Sequence, residues 1–165
     1  MKKTLIFGYG NLDREDDGVA WHVLARIARH YHRPVPNDQE DELVVDTFEP
    51  AGENPDLMFR LQLMPEMADE LAAFERVCFI DAHTGAVPLE VNIQEVTARF
   101  QNSPLTHHLT PQSLVEIMNR LYDARPQCLL VSVRGYSFQF SRKLSERTNE
   151  LADMAAEEII KWIEA

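Results

Sequence analysis

Three short stretches combine residue types that can do chemistry. The first is FGYGNLDREDDG, residues 7–18, where a glycine turn follows an apolar run and leads into an amphipathic stretch. That order suits a dinucleotide site, but Asp13 stands where the third glycine belongs, and Glu15, Asp16 and Asp17 would repel a pyrophosphate. The second is Asp81 and His83, directly after the apolar run VCFI, and the third is Thr106-His107-His108 before a proline-led helix. Ligands of open parallel sheets gather beyond the carboxyl ends of the strands. If these loops converge there, two carboxylates and an imidazole form a hard, partly open site for a divalent first-row metal, with water or substrate completing the shell. Each feature also has a structural reading. Asp16 and Asp17 suit a helix N-terminus, Asp81 suits a turn cap at a buried strand's rim, and the histidine pair suits an exposed loop.

Other chemistries lack their residues. There is no Gly-x-Ser-x-Gly elbow, no Gly-Lys-Ser/Thr phosphate loop and no Cys-x-x-Cys pair. Cys78 and Cys128 both lie inside apolar runs, as buried thiols of a reducing compartment do. Net charge is −11, from 27 acids against 16 bases, which argues against a nucleic-acid or anionic-membrane surface. The apolar stretch within MKKTLIFGYGN is too short for a signal peptide and no 18-residue apolar run exists, so the expected location is cytoplasmic.

The elements that would position these residues follow from periodicity. Residues 4–7, 77–80 and 128–133 are apolar but for Thr4 and Ser132 and predict strands buried on both faces. Residues 43–48 predict another strand, and 89–96 alternate as an edge strand does. Helices are predicted from Asp16 to about His30, from Pro65 to about Phe74, over 111–122 and over 145–165. Their inward faces carry Val19, Ala20, Val23, Leu24 and Ile27; Leu114, Ile117, Met118 and Leu121; and Leu151, Ala155, Ile159 and Trp162. Residues 33–42 read as a loop, and 49–64, broken by Pro50, Gly52 and Pro55, as ambiguous. The whole chain, 1–165, is expected to form a single three-layer α/β domain. Its core would be a twisted, mostly parallel sheet of about five strands with helices on both faces.

The same stretches resemble the signatures of the [NiFe]-hydrogenase maturation proteases. Gly8-Tyr9-Gly10-Asn11 with Asp16-Asp17-Gly18-Val19 is similar to the N-terminal signature, which maps a metal-binding acid onto Asp17. VCFIDA maps the second acid onto Asp81, and THHLTPQSLVEIM maps a histidine onto His107, with Leu109 and Leu114 on apolar positions. Glu15 and His108 are the rival ligands, the 12–15 spacer is more charged than usual, and Ala20 stands where glycine is frequent.

The resemblance implies a hydrolase that removes a C-terminal extension from a [NiFe]-hydrogenase large-subunit precursor after nickel insertion. It implies Asp17 and Asp81 as catalytic acids and Asp17, Asp81 and His107 as metal ligands. Nickel would be carried by the precursor rather than held permanently. Segments 63–71 and 131–145 resemble one branch and imply a soluble, bidirectional or nicotinamide-linked hydrogenase as partner. A non-catalytic metal-binding chaperone for a metalloenzyme precursor would use the same ligands.

Overall fold

The computed structural model describes residues 2–36, 47–99 and 109–165. Five strands form one sheet in the order β2-β1-β3-β5-β4: β1 (Thr4–Tyr9), β2 (Asp56–Arg60), β3 (Arg76–His83), β4 (Val91–Glu95) and β5 (Gln127–Arg134). All neighbours are parallel except β4, which runs antiparallel on the outer edge of β5. Side-chain alternation splits the core into two halves. Ile6, Cys78, Ile80 and Val131 face helices α1 (Val19–His30) and α4 (Glu146–Glu164). Leu5, Phe7, Val77 and Phe79 face α2 (Met67–Leu71) and α3 (Pro111–Tyr122). The three-layer α/β architecture is therefore the expected one.

The apolar stripe of α1 explains its place. Val19, Ala20, Val23, Leu24 and Ile27 are fully buried, and each large one contributes about 1.5–3 kcal/mol over an exposed position. Gly8 of β1 permits the close approach of sheet and helix. A Cβ there would lie 2.9 Å from the Ala20 Cβ and 3.0 Å from Leu24 Cδ1. The small pair Gly8 and Ala20 thus achieves the contact at a position where the resembling family often has glycine.

The structure departs from the sequence expectations at several points. The strand beside β1 is Asp56–Arg60, within the stretch that Pro50, Gly52 and Pro55 made ambiguous. Those breakers form the turn before it, where the Asp56 carboxylate accepts the Ala51 and Glu53 N–H groups at 3.0 Å. Leu57, Met58 and Phe59 then carry the strand into the core. Of the predicted strand at 43–48, residues 43–46 lie outside the described residues, and Thr47 and Phe48 are not in a strand. The first helix starts at Val19, because Glu15–Gly18 form a separate 3-10 turn. The second is regular only over Met67–Leu71, with turns on either side. Leu121 is 72% exposed, since α3 ends one residue later and Asp123 turns left-handed (φ 49°). On α4 Ile163 is buried, while Trp162 packs partly exposed under the Arg76 guanidinium, 3.8 Å from its ring centre. Both cysteines are buried free thiols on opposite halves of the core. Burial pushes both well above the ordinary thiol range, so neither is an activated thiol.

Candidate functional site

The glycine turn after β1 exists to receive the acidic turn. Gly10 has φ +144°, and a Cβ on it would lie 2.1 Å from the Asp17 carbonyl oxygen. A Cβ on Gly18 would lie 2.7 Å from the Leu12 Cα. Two glycines therefore let the 10–12 and 17–18 backbones touch, and the Asn11 N–H donates to Asp17 Oδ2 at 2.9 Å. The feature that resembles a phosphate cradle is a seat for a carboxylate.

The acids of this turn divide into two groups. Asp13 pairs with Arg142 at 2.8 Å. Glu15, held at φ 46°, accepts the Gln139 N–H at 2.8 Å. Asp16 is fully buried and gathers the Tyr136, Ser137 and Ser145 N–H groups and the Ser145 hydroxyl. The Thr148 hydroxyl lies between Asp16 and the Arg134 carbonyl, with one proton for the two. Burial pushes the Asp16 carboxyl up, but these donors more than reverse it and hold it below the ordinary range. Asp16 therefore does not cap its own helix. It ties the 135–145 segment and the start of α4 to the acidic turn, with added ties from Glu15 N–H to the Ser141 carbonyl and His22 Nε2 to the Arg142 carbonyl.

Asp17 stands apart. Among the described residues its carboxylate accepts only the Asn11 N–H, and it lies near Asp81, whose carboxyl it pushes up electrostatically. Asp81 sits two residues before the end of β3, on the same sheet face as Tyr9 of β1. The Tyr9 hydroxyl donates to Asp81 Oδ2 at 3.1 Å. Burial raises the Asp81 carboxyl most; Tyr9 and the Ala82 N–H lower it, Asp17 raises it again, and it settles at about 6. The same contact, with burial as the larger cause, pushes the Tyr9 phenol well above its ordinary range, so it stays a donor.

Asp17 and Asp81, predicted from separate motifs, are thus brought together at the carboxyl ends of β1 and β3. None of the ion pairs among the described residues involves either acid. Two half-buried carboxylates that repel each other without a cationic partner are a donor set suited to a divalent cation. Glu15 is spent on Gln139 and does not join them. His83 is also committed: its Nε2 donates to the Leu89 carbonyl at 2.9 Å and its Nδ1 accepts the Gly85 N–H at 3.1 Å. His107 and His108 lie outside the described residues, and among those described no three His, Cys, Asp or Glu side chains form a metal cluster. The chain resumes at Leu109, which packs on the same core half as Tyr9. Thr110 then caps α3 by accepting the Ser113 N–H at 3.1 Å.

A cavity of about 290 Å³ adjoins the Gly10–Asn11 turn. Leu12, Trp21 and Phe59 line it together with the Asp13–Arg142 pair. Sequence reasoning missed Tyr9, the partner of Asp81. Its only signal was a phenol ending an otherwise apolar strand.

No protein-family model matches the sequence, and the search of curated proteins finds no match. Solved structures do match over nearly the whole chain. A [NiFe] hydrogenase maturation protease, HycI, from Thermococcus kodakarensis KOD1 is 21% identical with a TM-score of 0.66, covering 99% of this chain and 94% of its own. The hydrogenase maturating endopeptidase HybD from E. coli is 14% identical with a TM-score of 0.63, covering 98% and 92%. The solution structure of an endopeptidase from Escherichia coli, 16% identical, has a TM-score of 0.66 and covers 96% and 90%. With this sheet order and this helix arrangement, the chain has the fold of the [NiFe] hydrogenase maturation proteases.

Proposed function

We propose that this chain is a [NiFe]-hydrogenase maturation protease that removes the C-terminal extension of a large-subunit precursor after nickel insertion. The observation that carries this reading is the meeting of Asp17 and Asp81 at the strand ends of that fold, with no cation among the described residues to neutralise them. The cation they meet is the precursor's nickel, so nickel belongs to the substrate and marks the precursor as ready. His107 completes the ligand set in this reading.

Peptide hydrolysis must deliver a water oxygen to the scissile carbonyl carbon, take a proton from that water and return one to the departing amine. A metal at the carbonyl or the water supplies Lewis acidity. The chain's own carboxylates supply the base, and the raised Asp81 is better matched to neutral pH than an ordinary aspartate. The cavity beside Gly10–Asn11 offers an apolar berth for a side chain of the precursor segment lying across the site. In this reading the reaction takes place in the cytoplasm, where the precursor would receive its nickel.

The test is mass spectrometry of a nickel-loaded large-subunit precursor incubated with the wild type, Asp17→Asn and Asp81→Asn. The expected result is loss of one defined C-terminal peptide with the wild type alone. A precursor that binds in a nickel-dependent way and stays whole would instead make the chain a chaperone.

A further inference from the structure

Tyr9 and Asp81 are lateral neighbours, one step beyond the registered pairs Phe7–Phe79 and Gly8–Ile80 of the parallel strands β1 and β3. The alternation that turns Phe7 and Phe79 into one core half brings both side chains to that same face. The Tyr9 ring is itself fixed. It meets the fully buried Phe7 edge-on, with centres 6.0 Å apart and planes at 61°. A rigid line therefore runs from the core through Phe7 and the Tyr9 ring to a hydroxyl that donates to Asp81 Oδ2 at 3.1 Å. Among the described residues Tyr9 is the one side-chain donor to this carboxylate beside the Ala82 N–H, and the carboxylate cannot turn about its Cβ–Cγ bond without losing it.

From this geometry we infer that Tyr9 is a positioning residue, whose hydroxyl sets the plane of the Asp81 carboxylate that faces the scissile bond and the precursor's nickel. The inference rests on the protease reading. It assigns Tyr9 no contact with substrate; the phenol acts only through Asp81. Residues that orient a ligating or catalytic group in this way are worth about 10–100-fold in affinity or activity.

Tyr9→Phe removes one oxygen and keeps the ring against Phe7, so the fold should be retained. Two readouts separate positioning from a packing role. In the free protein, the Asp81 13Cγ resonance, identified by its absence in Asp81→Asn, should move in Tyr9→Phe. With nickel-loaded precursor, kcat should fall about 10–100-fold while KM stays at the wild-type value. An unmoved resonance, an unchanged kcat, or a raised KM with kcat intact each overturns the inference. A wild type that cleaves while Tyr9→Phe cleaves equally refutes Tyr9 alone. A wild type that binds the precursor and never cleaves it refutes the protease reading and Tyr9's role with it.

Discussion

Asp16 and Asp81 are both withdrawn from water, and both lie beside the same glycine turn, yet the protein treats them in opposite ways. Asp16 is surrounded by donors from the 135–145 segment and α4 and is held below the ordinary carboxyl range. Asp81 has one side-chain donor and a like-charged neighbour, and it is held above that range. The first environment stabilises the carboxylate and with it the fold. The second leaves charge uncompensated, which only an external cation or a proton would relieve. Among clustered acids, the number of hydrogen bonds each receives separates scaffold from chemistry.

The largest effect should come from breaking the scaffold. Asp16→Ala strips the acceptor from three buried or half-buried N–H groups, those of Tyr136, Ser137 and Ser145. Each orphaned donor costs about 1–3 kcal/mol, so urea denaturation should show a loss of at least about 3 kcal/mol. The pH dependence has a definite sign. Because the folded-state value of Asp16 is depressed, its contribution is complete above the ordinary carboxyl range and is lost as pH falls through the folded value.

Next in size is Gly10→Ala. Its Cβ would collide with the Asp17 carbonyl in a backbone region that L-residues avoid, a strain of about 1–3 kcal/mol. Relief requires the acidic turn to move, so cleavage should fall further than stability does. Equal losses in the two would detach the glycine turn from the site. The smallest effect should be that of Glu15→Gln, which keeps an acceptor for the Gln139 N–H. Stability should change by less than about 1 kcal/mol and cleavage should be unchanged, whereas a lost activity would make Glu15 a ligand after all.

Much of this was legible in the chain because it is local. Apolar runs marked β1, β3 and β5, and helical spacing marked α1 down to its fully buried residues. Asp81 showed itself as an acid ending an apolar run, whereas Asp17 was singled out from Glu15 and Asp16 only by the resemblance of its stretch to the protease signature. What escaped was lateral. β2 hid behind proline and glycine because its identity comes from pairing with β1, not from its own pattern. Tyr9 and Asp81 are 72 residues apart in sequence and meet only through strand register. Asp16 looked like a cap for the helix it precedes, and its partners lie 120 or more residues away.

The central claim is that Asp81 is kept charged against the interest of the fold. It is tested most directly by urea-unfolding free energies of the wild type and Asp81→Asn from pH 4 to pH 8. With the folded value at about 6 and an unfolded value near ~3.9, folded Asp81 binds the extra proton between them, so wild-type stability from this group falls as pH rises through that window. The Asp81→Asn side chain keeps an acceptor for the Tyr9 hydroxyl and carries no charge. The predicted difference is small at pH 4, grows in favour of Asp81→Asn as pH rises, and levels off above about pH 6 at no more than about 3 kcal/mol. A wild type as stable as or more stable than Asp81→Asn at pH 8 would contradict the account.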